Sequence, residues 1–191
     1  MSSKTHTNWP AIILGVILLL LAGTAGLLIY GYTLKGPVLV AGDIPLPKTR
    51  AERVARFAAD GLVTPVRGSR GEVIAALGMP ITETAVELPN ASDERKRDTL
   101  TKMIYAGAYV EVYHRGDPPL DQVIRLTVDS RRHLVRWGLD IGAPAARVLR
   151  TLGPPSERGP DHLRYAPHPT RYVIFRLVRG KVASIEWYHF L

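Results

Sequence analysis

No cysteine occurs among the 191 residues, which removes disulfides, thiolate nucleophiles, Cys-ligated zinc, iron–sulfur clusters and a lipid-modified N-terminal cysteine. That absence does not fix a compartment, since oxidising and reducing spaces both tolerate a cysteine-free chain. The common catalytic strings are missing as well: there is no G-x-S-x-G, no P-loop, no G-x-G-x-x-G and no H-E-x-x-H. What the chain does have is 46% hydrophobic and 22% charged residues, a composition that excludes full disorder and points to a packed core. Basic residues outnumber acidic ones, 25 to 17, for a net charge of +8.

The mean hydropathy of +0.02 averages two unlike parts. Residues 11–30 hold twenty positions without a charge and with one aliphatic hydroxyl, Thr24. At ~1.5 Å per residue such a run spans ~30 Å, the hydrocarbon thickness of a bilayer. Trp9 precedes it and Tyr30 and Tyr32 close it, as interfacial aromatics do. The expectation is a transmembrane anchor over residues 1–32. The competing reading, a cleaved signal peptide cut near Gly23-Thr24-Ala25, is opposed by the apolar run continuing through Leu27, Leu28 and Ile29. Lys4 and Lys35 flank the run almost symmetrically, leaving its orientation open. Gly15, Ala22 and Gly26 are the small residues that would let a neighbouring membrane helix approach. No histidine or carboxylate lies in the span, so it offers no axial ligand and no proton relay.

Residues 33–48, with three prolines and two glycines and no periodicity, read as a linker. Thr49 is placed to cap a helix running to Asp60, with Ala51, Val54, Ala55 and Ala58 on one stripe, Phe57 widening it and Gly61 closing it.

A duplication organises the remainder. RGEVIAALGMP (70–80) aligns without gaps on AARVLRTLGPP (145–155), matching Val73 to Val148, Leu77 to Leu152, Gly78 to Gly153 and Pro80 to Pro155. Each copy reads as a short helix, begun by Ser69 or by Pro144 and stopped by Gly then Pro. Strand patterns follow each. The second copy suggests Leu163–Ala166, a strand alternating about Val173, Phe175 and Leu177, a turn at Arg179-Gly180, and a return through Ala183, Ile185 and Trp187. The first copy suggests Tyr105-Ala106 as the counterpart of Tyr165-Ala166, a longer strand following through Tyr109–His114, then Ile124, Leu126 and Val128, a turn at 129–132, and Val135 with Trp137. Period-two alternation pairs Leu126 with Phe175 between copies, and Trp137 and Trp187 then end equivalent strands over the core. Residues 86–102, VELPNASDERKRDTLTK, read as a solvated insertion, either a loop or a short helix capped by Ser92, and 116–121 as a turn.

The expected fold is therefore α+β: the anchor helix, then two tandem repeats of a short helix followed by a three-stranded antiparallel sheet, over residues 49–142 and 143–191.

The string GSRGEVIAALGMP (68–80), with a sheet ending in KVASIEW (181–187), resembles the SmpA/OmlA, BamE-like family, and the tandem arrangement is similar to β-lactamase inhibitor proteins built from that unit. The resemblance spans roughly residues 62–191. It implies a non-enzymatic protein-binding module of a bacterial envelope, with the sheet face or its loops in contact. Three departures weaken the transfer of outer-membrane function more than that of fold: no cysteine for lipidation, a membrane helix in its place, and two units instead of one.

Candidate chemistry is thin. His114, His133, His162, His168 and His189 are scattered; His162 and His168 could meet as metal ligands, but no carboxylate pattern supports them. Asp93-Glu94 and Asp117/Asp121 fit solvated or turn positions. No catalytic residue, metal or cofactor is expected. A hydrolytic or metal-dependent enzyme is the different-class alternative.

Charge is the more telling feature. All acidic residues, and all basic residues except Lys4 and Lys35, fall beyond residue 40, giving that part +6. Residues 144–191 hold eight basic against three acidic side chains. Arg164, Arg171, Arg176, Arg179 and Lys181 are the candidate partner-binding set, with Arg164 and Arg176 interleaving with Tyr165 and Tyr172. Such residues suit an acidic protein face or anionic lipid headgroups. Nucleic acid, also compatible with Arg and Tyr on a sheet, is not expected beside a membrane anchor. The plain alternative is that the arginines solvate an open sheet face.

The overall expectation is a single-pass inner-membrane protein with an extracytoplasmic domain, serving as scaffold or assembly factor for other envelope or integral membrane proteins. The alternative within binding proteins is a structural subunit of an energy-transducing or secretory complex.

Overall fold

Helix α1 (Arg50–Asp60) starts where the sequence provides a reciprocal cap. The Thr49 hydroxyl accepts from the Glu52 N–H at 3.2 Å, while the Glu52 carboxylate accepts from the Thr49 N–H at 3.4 Å. Val54, Phe57 and Ala58 are its buried stripe. Gly61 ends it for a reason other than the left-handed stop expected. Its φ is −78°, and a Cβ there would lie 2.5 Å from the Trp187 ring. The position is held by close approach of backbone to indole.

This computed structural model describes residues 46–189 apart from positions 91, 94 and 117. The anchor read over residues 1–32, its packing residues Gly15, Ala22 and Gly26, its interfacial Trp9, Tyr30 and Tyr32, and most of the linker lie outside the described residues. Among the described residues no helix is long and apolar enough to cross a membrane.

The duplicated string folds the same way twice. Helices α2 (Arg70–Leu77) and α3 (Ala145–Leu152) bury Val73 and Val148 completely. Both stop at a glycine with positive φ, Gly78 at +84° and Gly153 at +81°, whose N–H returns to the carbonyl of Ile74 or Leu149 at 2.8 Å. Nothing lies within 4 Å of a Cβ built at Gly78. Gly78→Ala is therefore expected to cost only the strain of a Cβ at φ +84° and ψ −168°, about 1–3 kcal/mol in urea unfolding.

Eight strands form one antiparallel sheet: β1 (Thr82–Pro89), β2 (Arg97–Tyr105), β3 (Ala108–Gly116), β4 (Pro119–Val128), β5 (Glu157–Arg158), β6 (His162–His168), β7 (Arg171–Val178) and β8 (Lys181–His189). Their order is β1-β2-β3-β4-β8-β7-β6-β5. Each short helix is thus followed by a four-stranded meander, and the last strands of the two meanders pair along Arg125–Val128 and Ile185–Tyr188.

This corrects the expected fold class of two three-stranded sheets. The segment read as a solvated insertion supplies the second half of β1 and much of β2. Strand β1 is exposed on both faces almost throughout, so it carries no apolar alternation to read; backbone pairing to β2 alone makes it a strand. Between them, the Asn90 side-chain carbonyl accepts from the N–H groups of Ser92 and Asp93, and no helix forms there among the described residues. The third strand placed at Val135–Trp137 does not form. Val135 makes only an isolated bridge to Leu62, and Trp137 and Gly138 take left-handed φ of 60° and 65° in a tight turn. Leu126 accordingly lies beside Trp187 in the register and is not the counterpart of Phe175, nor do Trp137 and Trp187 end equivalent strands.

The core occupies one face of the sheet. Met103, Val110, Val112, Leu126 and Val128 from the first meander continue into Ile185, Trp187, Val173, Phe175 and Leu163 of the second. Helix α1 covers the second meander, packing on β6, β7 and α3. Phe57 is its centre, with ring centroids 5.4 Å from Phe175, 5.7 Å from Trp187 and 5.8 Å from Trp137. The Trp187 indole N–H donates to the Phe57 carbonyl at 3.0 Å, and the His189 Nε2 donates to that of Ala58 at 2.9 Å. Arg136, itself buried, clamps the helix end by donating to the Asp60 carbonyl and carboxylate at 2.7 and 2.8 Å.

Candidate functional site

Because side chains alternate along a strand, burying one face of the sheet sets the other out toward solvent. In β3 the string Y-V-E-V-Y sends Val110 and Val112 inward and Tyr109, Glu111 and Tyr113 outward. In β8, Ile185 and Trp187 go inward and Glu186 and Tyr188 outward. The register then assembles rows across the sheet. One runs Glu111–Arg125–Tyr188–Tyr172 over β3, β4, β8 and β7. The next crosses all eight strands as Thr82–Ile104–Tyr109–Thr127–Glu186–Ile174–Arg164–Glu157.

These rows interlock. The Arg125 guanidinium sits 5.5 Å from the Tyr109 ring centroid and 5.3 Å from that of Tyr188. Tyr188 stacks on Tyr172 at 4.7 Å, and Arg164 covers the Tyr172 ring at 4.4 Å. Each cation–π contact contributes about 0.5–1 kcal/mol where exposed. Glu186 is the anionic centre: it accepts from Arg176 at 2.9 Å and from the Tyr188 hydroxyl at 2.6 Å, with Arg125 at 3.8 Å. Glu157 pairs with Arg164 at 3.3 Å. Tyr109 donates to Glu111, and Tyr113 donates to the buried Asp98, which also accepts from the Asn90 amide at 3.0 and 3.1 Å.

The titration behaviour follows from these contacts. Burial of the Glu186 carboxyl opposes its ionisation, but hydrogen bonds from Arg176 and Tyr188 and the charge of Arg125 win and hold its pKa below the usual glutamate value. Burial, reinforced by Glu186, pushes the Tyr188 phenol up to about 12. Burial followed by the bond to Glu111 likewise pushes Tyr109 up to about 12. At neutral pH Glu186 is therefore ionised beside the neutral phenols of Tyr188 and Tyr109.

Of the candidate partner-binding set, the structure brings Arg164 and Arg176 together on this helix-free face. Arg171 stands at the start of β7 and lines a cleft with His189. Arg179, at φ 51°, and Lys181 lie at the opposite end of β7, in and after the hairpin turn. Tyr172 shares the face with Arg164, whereas Tyr165 points into the core and donates to the Gly153 carbonyl at 2.9 Å. Sequence reasoning missed Arg125, Tyr109, Glu186 and Tyr188. The signal was present as Tyr, Glu and Arg alternating with buried aliphatics, but it required the β4–β8 pairing to join them.

The histidines do not converge. His162 and His168 occupy opposite ends of β6. His162 contacts Asp161 at 2.9 Å and Glu157 at 3.4 Å, while His168 contacts Thr170 at 3.0 Å. Among the described residues no group of three or more His, Asp or Glu is placed to hold a metal ion. The cleft beside the end of α1, about 300 Å³, is lined by Arg67, Asp121, Arg171 and His189 among others, with no nucleophile set beside a base.

His189 yields a pH prediction. Burial depresses its pKa below 6.5, helped by the nearby charges of Arg171 and Arg67. Between the folded and unfolded pKa the unfolded chain binds the extra proton, so stability falls as pH drops from about 6.5. His162 works oppositely: its hydrogen bond to Asp161 raises its pKa, a contribution present below 6.5 and lost as pH rises through the raised value. In urea midpoints from pH 5 to 8, His189→Gln should flatten the acid-side loss and His162→Gln should steepen it. Glu186, with its depressed pKa, adds a further loss only below the ordinary glutamate range.

Comparison with protein-family models, curated proteins and solved structures finds no match to this chain.

Proposed function

We propose that the protein is a non-enzymatic protein-binding module, held at a membrane by the apolar run of residues 11–30, and that the helix-free face of its sheet is the contact surface. The observation that carries this reading is the interlocked Tyr–Arg–Glu array spanning β3, β4, β8, β7 and β6. Tyrosine and arginine supply large contact areas and polar anchors at interface centres. Here stacking and ion pairing order them in advance, which lowers the entropic cost of docking. Confinement to a membrane raises the effective concentration of a partner in the same plane, so a modest face suffices. The partner is another envelope or integral membrane protein presenting carboxylates that compete with Glu157 and Glu186 for Arg164, Arg125 and Arg176. Scaffold or assembly factor is the role this supports, and kinship with the SmpA/OmlA family is part of the proposal.

The test is migration of the full chain, extracted from native membranes in mild detergent, on a sizing column. Wild type should travel in an assembly larger than itself. Reversing Arg164 and Arg176 to Glu should release the chain, and added salt should do the same. Reversing Arg179 and Lys181, at the far turn, should not. Release by the turn variant and not by the face variant would overturn the reading.

A further inference from the structure

The two edges of the sheet are unlike. One ends in β5, two residues long and followed by Gly159-Pro160. The other is β1, eight residues with β2 as its one strand partner among the described residues and seven of its positions exposed. A strand of that length leaves alternate backbone N–H and C=O groups available to another chain, and proteins commonly shorten or cover such edges. The apolar surface concentrates at the same corner. Of the seven large hydrophobics most exposed among the described residues, Met79, Ile81, Val86 and Ile104 belong to β1, β2 or the residues leading into them, with Met79 and Ile81 over 70% exposed.

Charge says what would pair there. The charges on β1 are Glu83 and Glu87, four residues apart and hence on one face of the strand. Arg70 grips Glu83 through two bonds at 2.5 and 2.8 Å, whereas Glu87 has no ion pair among the described residues. A second copy docking antiparallel in full register about Ala85 would set Glu83 against Glu87 twice, a repulsive arrangement. An extended segment with cations at two positions four apart, and apolar side chains on its other face against Val86, meets the strand without that conflict.

We propose that β1 is a strand-addition site for an extended cationic–apolar segment of a different protein, completing the sheet as a ninth strand. Val86 and Ile104 lie on the helix-free face too, but β1 is the edge strand remote from β6 and β7 and shares no residue with the array around Arg164 and Arg176, so the proposal stands or falls independently of the role given to those arginines.

The probe is a labelled, end-capped peptide Val-Lys-Val-Thr-Val-Lys-Val, whose antiparallel pairing places Lys opposite both glutamates and Val opposite Val86. Added to the purified full chain, it should bind saturably in fluorescence anisotropy. Glu87→Lys should weaken binding roughly five- to tenfold, and replacing the first peptide Lys by Glu should restore it. Val86→Lys should weaken binding too, while Arg164→Glu should leave it unchanged. Circular dichroism of each variant shows whether it retains the wild-type fold; both substitutions are at exposed positions, and Val86→Thr provides a second, milder variant. Absence of saturable binding at 1 mM peptide, or binding indifferent to both edge substitutions, would overturn the proposal. So would sedimentation showing dimers of the chain alone that Glu87→Lys disperses, since the occupant would then be a second copy.

Discussion

Phe57→Ala is expected to lower the unfolding free energy by about 3–5 kcal/mol, the range for deleting a fully buried aromatic ring. The ring is the point where α1 meets the sheet: it contacts Phe175, Trp187 and Trp137 together, and its backbone carbonyl holds the Trp187 indole. Removing it leaves three aromatic rings facing a void that a rigid sheet cannot close, and the cavity term adds to the transfer term. For a domain of this size the loss corresponds to a drop in Tm of roughly 10 °C. Thermal unfolding followed by tryptophan fluorescence reads it directly, because two of the three exposed rings are the reporters. A loss below 1 kcal/mol would mean that α1 is an appendage to the fold.

The second large effect concerns the seam. Ile185 is fully buried on β8, paired with Val128 of β4 on one side and Phe175 of β7 on the other. Ile185→Ala should cost about 2–5 kcal/mol. The informative part is where the loss appears. In one cooperative sheet the amides of β3 and β7 exchange through the same global opening, so both should lose equal protection in hydrogen exchange. If the two meanders were independent units, only β6 and β7 would weaken, and β3 would keep its protection.

Much of this architecture is legible in the sequence, and the parts that are not share a cause. The caps are written locally: Thr49 with Glu52, Ser69 with Glu72, and the Gly-Pro stops after α2 and α3 all act within four residues of where they stand. The duplication is equally plain, since it is a match of letters. Strand β1 is hidden because an edge needs no buried face, and its partner in the sheet lies across a polar turn. The joining of β4 to β8 is hidden because it depends on pairing residues some sixty positions apart, which no local period encodes. The helix-free face inherits that difficulty. Arg164 and Arg176 draw attention through their charge, but Arg125, Tyr109 and Tyr188 acquire meaning only when the seam puts an arginine between two phenol rings. Gly61 is a third case: its stop signal is real, yet its cause is the Trp187 ring arriving from more than a hundred residues away.

The account rests on the helix-free face being the surface that other proteins touch. Photo-cross-linking in native membranes tests this most directly, with a benzophenone amino acid at Tyr172 on that face and at Arg56 on the exposed side of α1. The account predicts a discrete heavier product from position 172, abolished by Arg164→Glu, and none from position 56. Products from position 56 alone would place the contact on the helix side and contradict it.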